Sequence, residues 1–463
     1  MIEFRNVFFS YDESAEGELK DINLTIPSGQ CVLLCGRSGC GKNTLTRLIN
    51  GLIPQFFAGE FGGEVLLDGE DVTSLPMYKI AEKVGSVFQN PRTQFFNVDT
   101  DSEIAFGMEN EAVEQERMRS RVAETAKELN IENLLGRSIF ALSGGEKQKI
   151  AFASVYAMEP SVYLLDEPSS NLDMSAIEEL REHIRLIKSR GKTVIIAGDF
   201  TPEQLMSLTK NERQSMGLRN TSLRDERPMR FEKHEQKPAV LEVENIALAY
   251  KKQPILRSVS LKAEAGEVIA VVGHNGAGKT TFSRALCGLH KEESGVYLWK
   301  GKPQKPKDRM KLSYMVMQDV NYQLFAESVE AECTFGIKRP DFALAEKTLD
   351  ELGLAEFRSR HPNTLSGGQK QRLAAAASMV CGKELLVFDE PTSGLDYDSM
   401  VRLSSLIRRL ADMEKVIFVV THDYEFVCRT CTRILHLKDG TIHDDLPLTE
   451  ENTSKTEEIF GVR

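Results

Sequence analysis

The chain carries the same ordered set of motifs twice, and this constrains its fold more than any other feature. A glycine-rich loop, Gly36-Arg-Ser-Gly-Cys-Gly-Lys-Asn-Thr44, is followed by Leu142-Ser-Gly-Gly-Glu-Lys-Gln-Lys149 and then Val162-Tyr-Leu-Leu-Asp-Glu-Pro-Ser-Ser-Asn-Leu-Asp173. The second half repeats the order as Gly273-His-Asn-Gly-Ala-Gly-Lys-Thr-Thr281, Leu365-Ser-Gly-Gly-Gln-Lys-Gln-Arg372 and Leu385-Leu-Val-Phe-Asp-Glu-Pro-Thr-Ser-Gly-Leu-Asp396. Between the first two motifs, Val87-Phe-Gln-Asn-Pro-Arg-Thr-Gln-Phe-Phe96 recurs as Val316-Met-Gln-Asp-Val-Asn-Tyr-Gln-Leu-Phe325. Such collinearity means duplication of a domain of about 220 residues, an ordinary domain size. A chain of 463 residues has room for both copies. We place the first domain at 1–208, a charged, aliphatic-poor linker at 209–238 and the second domain at 239–463.

Each copy opens with alternating apolar and polar residues, Ile2-Glu-Phe-Arg-Asn-Val-Phe and Leu241-Glu-Val-Glu-Asn-Ile-Ala, the pattern of half-buried strands. Short apolar runs, Cys31-Val-Leu-Leu-Cys and Val268-Ile-Ala-Val-Val, lead into the glycine loops and read as buried parallel strands. Helical patterns follow. This strand–loop–helix context turns a glycine pattern into a phosphate-binding reading.

The chemistry follows from the residue types. Glycines let backbone N–H groups wrap a phosphate, because no Cβ blocks the approach. Gly36, Ser38, Gly39, Gly41, Lys42, Asn43 and Thr44 form one such loop; Gly273, Asn275, Gly276, Gly278, Lys279, Thr280 and Thr281 form the other. The lysines reach the β- and γ-phosphates, and Thr280 offers a hydroxyl to Mg²⁺. Asp166 and Asp389 end apolar strands, where a carboxylate holds the magnesium shell. Glu167 and Glu390, next in line, are placed to orient or deprotonate an attacking water. Ser143-Gly144-Gly145-Glu146 and Ser366-Gly367-Gly368-Gln369 spell helix capping boxes. Two glycines in a helix's first turn are unfavourable unless backbone must approach something, which points to a second phosphate-facing helix terminus. The simplest alternatives, a glycine turn with a solvated lysine and an ordinary helix start, do not explain why the motifs recur as a set.

Composition narrows the class. A net charge of −11 argues against nucleic acid as a partner. Eight scattered cysteines fit a reducing compartment better than a disulfide framework, and Cys428-Arg-Thr-Cys431 lacks the further ligands a zinc site needs. No apolar run reaches the roughly 18 residues that span a bilayer, and the start of the chain lacks a signal-peptide pattern.

LSGGxxQ after a phosphate loop, then a strand ending in Asp-Glu-Pro, resembles the ATP-binding cassette (ABC) ATPases over nearly the whole chain, twice. The resemblance implies an α/β fold. It consists of two tandem P-loop NTPase domains, each with a mostly parallel sheet core, an antiparallel β subdomain and a helical signature subdomain. It also implies ATP and Mg²⁺ as cofactors, and intramolecular head-to-tail pairing of the two cassettes. Each ATP then lies between one P-loop and the other cassette's signature serine. By the same resemblance Gln89 and Gln318 match the Q-loop, and Tyr11 and Tyr250 the adenine-stacking aromatic. Asn171-Leu-Asp173 and Gly394-Leu-Asp396 match the D-loop, and His422 the switch histidine. A narrower resemblance comes from Phe88-Gln-Asn-Pro-Arg-Thr-Gln-Phe-Phe96 with Glu103-Ile-Ala-Phe-Gly-Met-Glu-Asn110, echoed by Gln323-Leu-Phe325 and Glu332-Cys-Thr-Phe-Gly336. This looks like the ATPases of energy-coupling factor (ECF) transporters. It implies uptake of vitamins or transition-metal ions through an integral-membrane coupling protein and a membrane-embedded substrate binder. The chain is then peripheral, at the cytoplasmic face of the plasma membrane. Rival readings are a twin-cassette factor acting on ribosomes and a fused sugar-importer ATPase.

The copies differ where chemistry is expected. The first loop offers Asn43 where the second has Thr280. An amide is longer than a hydroxyl and fits the tight octahedron of Mg²⁺ poorly. After Thr193-Val-Ile-Ile196 the first copy runs into Ala-Gly-Asp-Phe-Thr201, which resembles the tail His443-Asp-Asp-Leu-Pro-Leu-Thr449. On that alignment the counterpart of 421–442 is missing; an alternative puts Asp199 at the position of His422. Neither leaves a switch histidine. We expect the second-half site to hydrolyse ATP and the first to bind it weakly or hold it. The blander expectation is a poorly folded or decayed first domain, because a lost strand exposes a sheet edge.

Overall fold

The computed structural model describes residues 1–11, 14–37, 39–88, 90–168, 174–198, 237–250 and 253–461; of residues 14–17, 92, 174, 175 and 250 only the backbone is described. The chain divides into two compact units, Met1–Arg219 and Asn220–Arg463. Of the sequence expectations, Ser38, Gln89, Asn171–Asp173, Asp199, most of the linker and the Tyr250 side chain lie outside the described residues.

In the first unit β1 (Ile2–Tyr11), β2 (Ser14–Ile26), β4 (Gly59–Leu67) and β5 (Glu70–Asp71) form an antiparallel sheet in the order β2-β1-β4-β5. A second sheet, all parallel, runs β3 (Cys31–Leu34), β8 (Thr193–Ala197), β7 (Val162–Asp166), β6 (Val84–Val87). One core packs Phe4, Phe9 and Val65 of the antiparallel sheet against Leu48 and Ile49 of the helix Lys42–Ile49 and against Leu164 and Ile195. A separate core packs the helix Gly144–Ala157, through Ile150 and Phe152, on the opposite sheet face at Leu165 and Ile196. Alternate residues of β7 and β8 therefore point into two different cores. That is why their sequences are continuously apolar rather than alternating.

The second unit repeats both layers. β9 (Ala239–Tyr250), β10 (Gln253–Glu264), β12 (Ser294–Trp299) and β13 (Lys302–Pro303) pair in the order β10-β9-β12-β13. The core sheet is longer: β14 (Ser313–Val316), β15 (Leu385–Asp389), β16 (Val416–Val420), β11 (Val268–Val272), β17 (Arg433–Lys438), β18 (Thr441–Pro447), with β18 antiparallel to its neighbour. The strand β11 is flanked on both sides, by β16 and by β17. Its counterpart β3 has β8 on one side and, among the described residues, no strand on the other. Exposure follows: all five residues of β11 are buried, whereas Cys31 is exposed and Val32, Leu33 and Leu34 are half-buried.

This sheet order decides between the two sequence alignments. Ala197 ends the strand equivalent to β16, because Leu34 pairs with Ala197 as β11 pairs with β16. Glu167 N donates to Ala197 O at 2.7 Å just as Glu390 N donates to Val420 O at 2.8 Å. Ala197-Gly198 is therefore not the counterpart of the β18 tail. The register equates Gly198 with Thr421; Asp199, next in sequence, lies outside the described residues.

Candidate functional site

Both glycine loops leave their strands in the same way. Gly36, Gly39 and Gly41 have φ of 150°, 82° and 94°; Gly273, Gly276 and Gly278 have 147°, 86° and 96°. Left-handed values at both helix N-caps, Gly41 and Gly278, disfavour any residue with a Cβ. Neither cap carries a side-chain acceptor, so the helices Lys42–Ile49 and Lys279–Leu286 present their first-turn N–H groups towards the loop. Lys42 Nζ donates to Gly36 O at 2.6 Å and to Arg37 O at 3.1 Å; Lys279 Nζ donates to Gly273 O at 2.6 Å and His274 O at 3.0 Å. Each ammonium is thus held over its own loop, on the side where N–H groups and helix dipole favour an anion.

The loops part company one residue later. In the second unit Thr280 Oγ1 donates to Asp389 Oδ1 at 3.5 Å. Hydroxyl and carboxylate oxygens side by side are the hard-donor set that Mg²⁺ takes. In the first unit the Asn43 side chain is exposed, and Asp166 Oδ1 is buried with no hydrogen-bond partner among the described residues. Burial pushes the Asp166 carboxyl up to about 6, against the pull of Arg47 and Lys42. Burial raises Asp389 as well, opposed by Thr280, Arg284 and Lys279. An acid that is destabilised as an anion in the absence of a cation is a site that gains when one arrives.

The next residue shares one backbone feature in both units. Glu167 has φ of 44° and Glu390 has 49°, left-handed values that glutamate rarely takes. Strain of this kind persists where the surroundings over-determine it, and it clusters at functional positions. The hydrogen bonds to Ala197 O and Val420 O hold it in place. Burial pushes the Glu390 carboxyl well above the ordinary range; Lys279 opposes this and Asp389 adds to it. His422 Nε2 lies 3.5 Å from Glu390 Oε1. The side chain of Glu167 instead packs near Gly198, whose position would put an added Cβ 3.3 Å from the Glu167 Cα. A base raised towards neutrality and touched by an imidazole suits proton transfer from water.

Gln318 follows β14, whose Val316 pairs with Phe388 of β15, so it leaves the sheet beside Asp389. Ser143 and Ser366 each cap a helix. Glu146 N donates to Ser143 Oγ at 3.3 Å and Gln369 N to Ser366 Oγ at 3.4 Å, while the Glu146 and Gln369 side chains accept from the serine N–H groups at 2.7 Å in both units. The capping-box reading therefore holds in both units. Tyr11 is tied to the loop helix: its hydroxyl lies 3.3 Å from Thr44 Oγ1 and accepts from Arg47 at 3.0 Å, with Phe9 and Phe57 edge-on to its ring.

Four residues with no role assigned from sequence organise the stretch after the Q-loop position. Gln94 Oε1 accepts from Phe88 N at 3.1 Å, and Gln323 Oε1 accepts from Met317 N at 2.7 Å. Glu103, buried, accepts from Phe96 N at 3.1 Å and Asn97 N at 2.8 Å; Glu332 accepts from Phe325 N at 2.8 Å and Ala326 N at 2.7 Å. The two pins leave Phe96 and Phe325 standing out, 74% and 68% exposed. The signal was present in the sequence as the equal spacing of Gln94 to Glu103 and Gln323 to Glu332.

Comparison with known proteins agrees with this geometry. The ABC transporter family matches residues 19–170 and 256–393. A provisionally named ABC transporter ATP-binding protein of Treponema denticola is 48% identical over 478 residues, covering 96% of this chain and 97% of that one. A second from the same organism is 37% identical and covers 100% of both. One from Methanosarcina mazei is 32% identical over 97% of this chain and 89% of its own length. The solved structure of cbiO1 from Clostridium perfringens, part of the ABC transporter complex cbiONQ, is 27% identical, covers 49% of this chain and 92% of that chain, and has a TM-score of 0.41. The family match in both halves and the relatives from Treponema denticola and Methanosarcina mazei make the chain a member of the ABC transporter ATP-binding proteins, a family of ATPases that bind ATP with Mg²⁺.

Proposed function

We propose that this chain is the ATPase of an ECF-type importer, with one hydrolytic site and one degenerate site, coupling ATP hydrolysis to uptake of a vitamin or transition-metal ion. The observation that carries the asymmetry is the contrast at the strand ends. Thr280 meets Asp389 and His422 meets Glu390 in the second unit, while Asn43 turns outward and Asp166 Oδ1 has no partner among the described residues in the first. We take the domains as 1–208 and 239–463, joined by 209–238. On head-to-tail pairing the second P-loop works with Ser143, Gly144 and Gly145, and the first with Ser366, Gly367 and Gly368. Tyr11 and Tyr250 stack on adenine, and Gln89 and Gln318 complete the magnesium shells.

The chain's own residues divide the work. The loop N–H groups and Lys279 bind and neutralise the phosphates. Thr280, Asp389 and Gln318 would hold Mg²⁺, which when bound would supply neutralisation of charge on the γ-phosphate. Glu390 takes the proton of the attacking water at its carboxylate, and His422 orients it. Glu167 retains the strained backbone of a catalytic carboxylate, and in sequence Asp199 aligns with His422.

Exposed Phe96 and Phe325, each held by a buried glutamate, support docking on an integral-membrane coupling protein that itself carries a membrane-embedded substrate-binding subunit. Among the described residues no helix is long and apolar enough to cross a membrane, consistent with a peripheral location at the cytoplasmic face. Two experiments test the reading. Glu390→Gln should lower ATP hydrolysis by about 10²–10⁴-fold, the usual contribution of a general base, while Glu167→Gln changes it little; equal losses would sink the asymmetry. Tagged chain should co-purify with membranes and with small multi-span proteins. Co-purification with ribosomes would point to the rival translation-factor reading.

A further inference from the structure

We propose that His436, His443 and Asp444, on the β17–β18 hairpin, form a binding site for a divalent transition-metal cation of the zinc class. Their ligand atoms lie within 4.8 Å of one another. Asp444 Oδ2 is the hub: His436 Nδ1 is 2.8 Å from it and His443 Nδ1 2.9 Å. The carboxylate oxygen accepts, so both Nδ1 atoms carry protons in this arrangement. A cation bound between them would take the Nδ1 lone pair of each ring, the displaced proton moving to Nε2 or, from an imidazolium, to water.

The donor set and its geometry fit. Zinc bonds of about 2.0–2.2 Å to imidazole and carboxylate place tetrahedral ligands about 3.3–3.5 Å apart. The two nitrogen–oxygen separations at Asp444, 2.8 and 2.9 Å, are about half an ångström shorter than this, so the Asp444 carboxylate must draw back slightly from both rings to admit the ion. His436 and Asp444 are nearly buried, with side-chain exposures of 12% and 13%, while His443 is 50% exposed. The site is thus anchored by two packed ligands and open to water on the third side, as a three-ligand site with a free position requires. Two cationic side chains lie close by, each also paired with an acid. Lys455 Nζ is 3.9 Å from Asp444 Oδ1, the oxygen that does not face the imidazoles, and is shared with Glu458 at 3.3 Å. Arg433 is taken up by Asp445 and Glu267.

The position connects the site to the second P-loop. His436 pairs with Val272, the residue before Gly273. Gly273 lies so close to β17 that an added Cβ would sit 2.2 Å from Leu437 O. A cation joining β17 to β18 therefore braces the strand against which the loop begins. Among the described residues the first unit has no equivalent hairpin.

The test is Zn²⁺ titration of the full chain without nucleotide or Mg²⁺, in a Cys31→Ser/Cys40→Ser background that removes the two exposed thiols. One equivalent should bind, and binding should weaken at least tenfold in His443→Ala and in Asp444→Asn. Co²⁺ should give a visible absorption band that both variants lose. His443 is half-exposed, so its variant keeps the test valid even if a His436 variant fails to fold; circular dichroism checks this. Unchanged binding in His443→Ala, loss of all binding with the two cysteines, displacement of the ion by Mg-ATP, or no binding at all would each overturn the proposal.

Discussion

The two cassettes share a backbone plan down to its strained residues, yet they differ in the groups that plan presents. Both loops turn through three left-handed glycines, both lysines fold over the loop carbonyls, and both strand-end glutamates are left-handed. What differs is small and local. Asn43 replaces Thr280, Asp199 aligns in sequence with His422, and among the described residues β3 lacks the neighbour that β17 gives to β11. The lesson is that a duplicated domain can keep its backbone geometry while the side chains set on it change. Loop conformation is set by glycines and by strand pairing, whereas hydrolysis needs a handful of donors at ångström precision.

The sharpest way to break this comparison is at the lysines. Lys279→Ala should cost about 10²–10³-fold in ATP hydrolysis, the scale of losing one electrostatic contact to developing charge, while Lys42→Ala costs less than about threefold. Steady-state phosphate release at saturating ATP decides it, and comparable losses would mean two working sites. The same assay against pH sharpens it. Glu390 accepts a proton only when ionised, and burial raises its pKa, so activity should climb with pH through a range above that of an ordinary carboxylate.

The buried pins should matter alike in both units. Glu103→Ala and Glu332→Ala each orphan two backbone N–H groups, at about 1–3 kcal/mol of stability in their own unit by urea unfolding. Each should also weaken capture of the membrane partner. A difference between the two would show that only one aromatic platform is used.

Asp166 gives a test with a defined sign. Its folded pKa of about 6 lies above the model-peptide value of 3.8, so the folded state holds its proton more tightly. Stability from this group is full below the unfolded value and is lost as pH rises through about 6. Asp166→Asn should therefore stabilise the nucleotide-free, Mg²⁺-free first unit by about 2 kcal/mol at pH 7.5, allowing for partial exposure, and by nothing near pH 3.5. A destabilised variant at pH 7.5 would contradict the unpaired buried oxygen. Smallest of all, Asn43→Thr should tighten Mg-ATP binding at the first loop by a few-fold without restoring turnover, because Asp199 aligns in sequence with His422. Restored turnover would make Asn43 the sole defect.

Most of the site was legible because its parts are tied to local rules. A left-handed turn demands glycine, a helix start takes serine with glutamate or glutamine three residues on, and a buried parallel strand reads as an apolar run. The pins at Gln94, Glu103, Gln323 and Glu332 carried a spacing signal, but nothing local says that a glutamate will reach back to the N–H groups of an earlier loop. The alignment of Ala197–Thr201 with the C-terminal tail went astray for a similar reason. Short polar segments look alike in sequence, and only the pairing of Leu34 with Ala197 shows which strand is which.

The sequence by itself determined the duplication, the two phosphate loops, the acidic strand ends and the mismatch at Asn43, since each follows from residue type and spacing. Tertiary structure decided what the mismatch means physically. Only folding brings Thr280 to Asp389 and His422 to Glu390 across more than a hundred and about thirty residues of chain respectively. Only sheet order reveals that β3 is half-exposed where β11 is buried, and that β17 and β18 set two histidines around one carboxylate beside the second loop. Burial and non-local pairing are properties of the packed chain, and no stretch of sequence carries them alone.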